Sequence, residues 1–192
     1  PRLVPWDVQF SEGFIVDKEL SQFVQLIDTR HAYRLQTSVS AQVDENGRIA
    51  GEATVQAHDY AKAPRLASLE KGEDHLLHEH FSKPHPSFQF DSIRISNKEV
   101  DTLPLQTSVR FKAQLNNTGE YYFYAPNFLL ELDENNFIRE QRFTDIEFGY
   151  LQQYTITASI RFPESLELDE LPKNVKMIMP DTSIIMQRLI QK

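Results

Sequence analysis

The sequence predicts a mainly β chain of antiparallel β-sandwich domains, with one short helical segment at about residues 61–82. Three observations predict it. Apolar and polar residues alternate over several runs, as half-buried strands require. Turn-forming clusters punctuate those runs at short spacing: Asn46-Gly47, Asn116-Asn117-Thr118-Gly119 and Pro180-Asp181-Thr182-Ser183. A single stretch abandons alternation for steps of three and four residues.

Composition sets the outer limits. The chain has 192 residues, 40 % hydrophobic and 11 % aromatic, which is enough to bury a core. Its 28 acidic and 20 basic residues give a net charge of -8, a surface that repels phosphate backbones and anionic lipid. Nucleic acid is therefore not an expected partner. Membrane insertion is not expected either, because no run approaches the ~20 apolar residues of a spanning helix. Cysteine is absent, which removes disulfides, thiolate metal sites and cysteine nucleophiles. No cofactor is implied. The start at Pro1-Arg2-Leu3 and the stop at Ile190-Gln191-Lys192 read as cuts in a longer chain.

In order along the chain, residues 1–36 hold two apolar runs, Phe14-Ile15-Val16 and Phe23-Val24-Gln25-Leu26-Ile27, around the charged Asp17-Lys18-Glu19. They read as a small hairpin or edge extension that packs on something upstream, as does the only tryptophan, Trp6. From Thr37, Val39, Ala41 and Val43 alternate with Ser38, Ser40 and Gln42. Asn46-Gly47 turns the chain, since both residues tolerate positive φ. The return strand then sets Gly51, Ala53, Val55 and Ala57 against Glu52, Thr54, Gln56 and His58. One face is buried and one is wet.

The helical stretch carries Leu66, Leu69, Leu76, Leu77 and Phe81; Gly72 weakens its middle, and Pro84 and Pro86 end it. Strands resume at Phe88-Gln89-Phe90 and Ile93-Arg94-Ile95, with a parity change at Asp91-Ser92 that predicts a bulge. Val109, Phe111, Ala113 and Leu115 form the next strand, and Tyr121-Tyr122-Phe123-Tyr124 an aromatic one. The polar residues 133–142 read as a domain seam. Beyond it, Tyr154, Ile156, Ala158, Ile160 and Phe162 alternate, and residues 175–179 and 184–189 form a last hairpin. The division is 1–36, 37–140 and 141–192, the last an incomplete β-sandwich.

The run Arg142-Phe143-Thr144-Asp145-Ile146-Glu147-Phe148-Gly149-Tyr150 precedes the strand ending Ile160-Arg161-Phe162-Pro163-Glu164. Leu171-Pro172-Lys173-Asn174-Val175 and Pro180-Asp181-Thr182-Ser183-Ile184 come next. This order resembles the β-rich domain of unknown function that follows the transglutaminase-like core in large exported bacterial proteins, some of them cysteine peptidases by type. Asp44 to Gly47, His58-Asp59-Tyr60-Ala61-Lys62-Ala63 and Asn127-Phe128-Leu129 are similar to the linker region of that family. Phe10-Ser11-Glu12-Gly13-Phe14-Ile15-Val16 would then be the tail of the core. The resemblance implies a periplasmic or otherwise exported location and an upstream transglutaminase-like domain as partner. It transfers no catalytic residue, because the Cys, His and Asp of that family would lie before Pro1.

Candidate chemistry is sparse. Asp74, His75 and His78 share a helical face and could offer a divalent ion a carboxylate and two imidazoles. Their spacing matches no metal motif, and the commoner reading of such a run is a solvated helix end whose imidazoles suit the helix dipole. Acidic runs such as Glu167-Leu168-Asp169-Glu170 sit in turn-like, polar surroundings, unsuited to a desolvated general acid. No Gly-x-Ser-x-Gly elbow and no phosphate-cradling glycine spacing occurs. Tyr121 and Tyr122 are candidate contacts for a glycan or peptide, set against the plainer reading of cross-strand packing. The expectation is a non-catalytic structural or interaction region that braces the core or helps substrate binding. The alternatives are an independent carbohydrate- or peptide-binding sandwich and, third, metal-assisted hydrolysis at His75 and His78.

Overall fold

Alternation of apolar and polar side chains produces the observed architecture. The structure, a computed structural model, describes residues 3–125, 129 and 148–192. The predicted seam at 133–142, the boundary at 140/141, the segment 142–147 and the pair Asn127-Phe128 lie outside the described residues. The chain divides into two compact units, Pro1–Arg161 and Phe162–Lys192.

The first unit is organised by a five-stranded sheet. Its strands are β3 (Ala32–Val43), β4 (Arg48–Asp59), β5 (Phe88–Ser96), β6 (Leu105–Gln114) and β9 (Leu151–Arg161), in the order β5-β6-β4-β3-β9. The hairpin β3–β4 is present with the buried and wet faces expected from sequence, and its register sets Val39 opposite Ala53 and Val43 opposite Ile49. Its turn differs in detail. Gly47 alone takes positive φ, at 71°, while the Asp44 carboxylate accepts the backbone N–H of Asn46 (2.8 Å) and Arg48 (2.9 Å). This is the three-residue hairpin loop closed by a left-handed glycine, rather than a two-residue Asn-Gly turn.

Leu35, Val39, Ala41 and Val43 of β3, Ile49, Ala53, Val55 and Ala57 of β4, and Leu105, Val109 and Phe111 of β6 are all buried on one face. The bulge predicted at Asp91-Ser92 is present as a register shift between Phe90 and Ser92. It keeps Phe88 and Phe90 on the same side as Ile93 and Ile95, so a parity change in sequence becomes a continuous apolar face in space. Phe88 meets Phe111 with ring centroids 5.6 Å apart.

The helical stretch covers this face in three pieces. Helix α1 (Lys62–Glu70) ends before Gly72, whose φ of 121° breaks the helix where the sequence weakens it. Pro64 is tolerated in the first turn, where backbone N–H groups have no intrahelical partner. Helix α2 (Glu73–Leu77) runs into a π-helical turn, His78–Ser82, closed by the Lys83 N–H on the His78 carbonyl at 2.9 Å. Leu76 and Phe81 are buried as expected, and Phe81 meets Phe90 edge-on at 5.7 Å. Leu66 and Leu69 are only half-buried, and the buried places on α1 go to Lys62 and Arg65. The Lys62 ammonium donates to the carbonyls of Val100 (2.7 Å) and Leu103 (3.0 Å), so its burial is met by hydrogen bonds.

One pairing was not expected. Strand β9 pairs with β3 in parallel, Ala32 opposite Leu151 and Gln42 opposite Arg161. The sequence division assigns these two strands to different domains; here they are neighbours in one sheet. The expected N-terminal hairpin is present as β1 (Ser11–Ile15) and β2 (Gln22–Leu26), with Phe14 and Phe23 paired at 4.9 Å. A short hairpin, β7 (Asn116–Thr118) with β8 (Tyr121–Phe123), follows β6. The second unit holds the last hairpin, β10 (Val175–Ile178) with β11 (Ile185–Arg188).

Gly51 is needed by the packing of β3 on β4, because a Cβ there would overlap the Ser40 carbonyl oxygen and the Ala41 Cβ. Gly51→Ala is expected to lose about 1–3 kcal/mol, read as a lower urea midpoint with an unchanged slope. Ser40→Ala, on the wet face opposite, should stay within about 0.5 kcal/mol.

Candidate functional site

The residues singled out in the sequence fall in three places. Asp74 and His78 are exposed and His75 is half-buried, and no group of three His, Asp or Glu side chains able to hold a metal forms among the described residues. His78 instead pairs with Glu79 at 3.1 Å. The Lys83 ammonium donates to Glu79 at 2.9 Å and, with His78, holds its carboxyl below the usual range. Asp74, His75 and His78 are not brought together as a ligand set.

Tyr121 and Tyr122 are neighbours on β8 and therefore face opposite ways. The Tyr122 ring lies over Gly47, where a Cβ would overlap it. Tyr121 is 58 % exposed and Phe123, on its side of the strand, 57 %. The exposed aromatic pair is thus Tyr121 with Phe123. Burial pushes the Tyr124 phenol up to about 12.

A polar knot is the feature that sequence reasoning missed. The Asp28 carboxylate, only 5 % exposed, meets His31 Nδ1 at 2.7 Å and accepts the backbone N–H of Arg30 (3.0 Å) and His31 (3.1 Å). The Tyr60 hydroxyl is placed to donate to the Val4 carbonyl (2.8 Å) and to Asp28 (3.2 Å), and it accepts from the Gln9 amide at 2.6 Å. Gln9 in turn accepts the Asp28 N–H at 2.9 Å. Burial alone would raise the Asp28 carboxyl; the bonds from the His31 ring and the two N–H groups outweigh it and hold the carboxyl below its ordinary range. The Tyr60 phenol is pushed up, first by burial and then by the charge of Asp28.

An Asp–His pair supplies two of the three members of a hydrolytic triad, so its surroundings decide its meaning. The chain has no cysteine, and no serine or threonine hydroxyl is bonded to the His31 ring among the described residues. What the knot does is tie the segment before β3, the end of β4 and the N-terminal residues into one network. Beside it, Tyr150 stacks between Tyr60 (5.1 Å) and Tyr33 (5.5 Å), locking the approach to β9. The four knot residues stand at positions 9, 28, 31 and 60. Only Asp28-x-x-His31 carries a local signal, an Asx turn.

The second feature is the outer face of the five-stranded sheet. Register places Ser96, Gln106, Gln56, Gln36 and Thr155 in one row across the strands, and Arg94, Ser108, Thr54, Ser38 and Thr157 in the next. Two further rows add Ser92, Arg110, Glu52, Ser40 and Ser159, then Gln89, Lys112, Ala50, Gln42 and Arg161. Thr54 and Ser108 share a hydroxyl bond at 2.9 Å, and the Gln56 amide donates to Gln106 at 3.3 Å. The relief is low. One depression of about 160 Å³ is lined by Glu52, Arg94, Ser108 and Arg110, and another of about 210 Å³ by Ser40, Gln42 and Arg161. Such a surface can hold a polar chain lying flat but cannot enclose a small substrate.

With this geometry in place, comparison with known proteins adds one finding. Residues 119–188 match the family described as Domain of Unknown Function with solved-structure structure (DUF3858). The match begins before β8 and runs through β9, β10 and β11. No curated protein and no solved structure matches the chain.

The knot and its neighbourhood make stability depend on pH in a known direction. His58 is held below its ordinary 6.5, first by burial and then by Arg34, against the opposing pull of Asp59. Asp28 is held below 3.8. Both native groups bind fewer protons than their unfolded counterparts, so each contribution is intact above the ordinary value and lost as pH falls through the native one. Thermal unfolding midpoints should decline below pH 6.5 and again below 3.8. Asp28→Asn should flatten the lower limb and His58→Gln the upper.

Proposed function

We propose that this chain is a non-catalytic structural and interaction region of a transglutaminase-like protein, bracing the catalytic core or helping substrate reach it. The observation that carries the reading is the pair of hairpins with no core of their own. Trp6, Phe14, Val16, Leu20 and Phe23 in and around β1–β2 are exposed, although β1 and β2 are paired. Met177, Ile178, Ile185 and Met186 of β10–β11 are exposed too, and taken by itself the unit Phe162–Lys192 contains no buried residue. A two-stranded hairpin is marginal in water unless a third layer covers it. Clustered apolar side chains on such an element mark a surface meant for a neighbour. Covering one Phe or Ile contributes about 1.5–3 kcal/mol, so either hairpin has enough to hold a partner domain. The match of residues 119–188 to a domain family of unknown function supports placing the second hairpin in a recurring domain type.

A second reading, an independent glycan- or peptide-binding module, has Tyr121 and Phe123 in its favour as an exposed aromatic pair. Its weakness is that Tyr122 is engaged with Gly47.

The bracing reading is tested with the chain and a separately produced transglutaminase-like domain. Phe14→Lys with Phe23→Lys, and Met177→Lys with Ile185→Lys, should each weaken association at least about tenfold. The unfolding midpoint of the five-stranded unit should move little, because its buried face lies elsewhere. Absence of association by the unaltered chain would remove the reading, and loss of Tyr121→Ala binding to a glycan panel would favour the second.

A further inference from the structure

We propose that the outer face of the five-stranded sheet is a binding surface for an extended acidic polysaccharide, a polyuronate, held by Arg94, Arg110 and Arg161. This goes beyond the bracing reading and uses a different surface from the hairpins and from Tyr121.

The first argument is electrostatic. On a molecule of net charge -8, this face gathers Arg94, Arg110, Lys112 and Arg161 against Glu52 and Asp91. Lys112 is neutralised by Asp91 at 3.1 Å. Among the described residues no carboxylate lies within ion-pair distance of Arg94, Arg110 or Arg161, although Glu52 is the register partner of Arg110. Unpaired guanidinium groups amid an acidic surface attract an anion, and their planar fork suits a carboxylate.

The second argument is chemical composition. Between the arginines the rows hold Ser38, Ser40, Thr54, Ser108, Thr157 and Ser159, flanked by Gln36, Gln42, Gln56 and Gln106. Hydroxyls and amides at high density with cations at low density are the complement of a chain with several hydroxyls and one carboxylate per ring. A protein partner fits poorly, since the rows contain no aromatic or large aliphatic anchor. Nucleic acid fits poorly as well, because there is no aromatic side chain for base stacking and the molecule as a whole is acidic. The dimensions suit a chain lying across the strands: Arg110 and Arg161 stand three strands apart, roughly 14 Å at ordinary strand spacing.

The test is direct titration of the 192-residue chain with polygalacturonate, its methyl-esterified form, polyglutamate and single-stranded DNA. Polygalacturonate should bind, more weakly as salt rises, and the other three should bind at least about tenfold more weakly. Arg94→Gln with Arg110→Gln and Arg161→Gln should abolish the preference while keeping the unfolding midpoint. Ser40→Glu, which places a repelling charge in the middle row, should weaken binding in the same way, and Lys173→Gln in the other unit should not. Equal affinity for polyglutamate or DNA, an unimpaired triple variant, or no binding of polygalacturonate would each overturn the proposal.

Discussion

One constraint organises the molecule: a five-stranded sheet that is apolar on one side and polar on the other. Because side chains alternate along a strand, five strands in register sort every second residue to the same side. The apolar side receives Phe111, Ile49, Val109 and Leu105, closed by Leu76 and Phe81 of the helical stretch. Phe111 is 1 % exposed, and a truncation at such a position leaves a cavity costing about 3–5 kcal/mol. The polar side is fixed by the same register, so its rows of Ser, Thr, Gln and Arg are as well ordered as the core that positions them. The order of the polar side is thus a by-product of stability on the other.

Much of this was legible in the sequence, for physical reasons that also explain the failures. The hairpin β3–β4 and the wet and dry faces of its residues follow from alternation and from Gly47, both local signals. The break at Gly72 and the bulge before Ser92 were legible for the same reason. The parallel pairing of β3 with β9 was not, since parallel neighbours are joined by no turn and leave no mark near either strand. The burial of Lys62 defied hydropathy because carbonyls of Val100 and Leu103, remote in sequence, accept from it. For the candidate sites the balance is worse. Asp74, His75 and His78 were conspicuous as letters and do not converge in space. Gln9, Asp28, His31 and Tyr60 were inconspicuous and form the densest polar network described.

The hairpins β1–β2 and β10–β11 obey the opposite logic from the sheet. Each pairs its two strands through backbone hydrogen bonds, yet leaves large apolar side chains exposed. Backbone pairing gives them shape without giving them a core. The sheet and the hairpins are therefore different kinds of element, one with a buried face of its own and the other without one. That contrast is what supports the proposed reading of an interaction region.

Native-state hydrogen exchange on the isolated chain tests this contrast most directly. The account predicts that amides in the centres of β3, β4 and β6 exchange only through global unfolding, while those of β1–β2 and β10–β11 exchange through openings orders of magnitude more frequent. Hairpin amides as slowly exchanging as those of β4 would contradict it, because the hairpins would then possess the core that the account denies them.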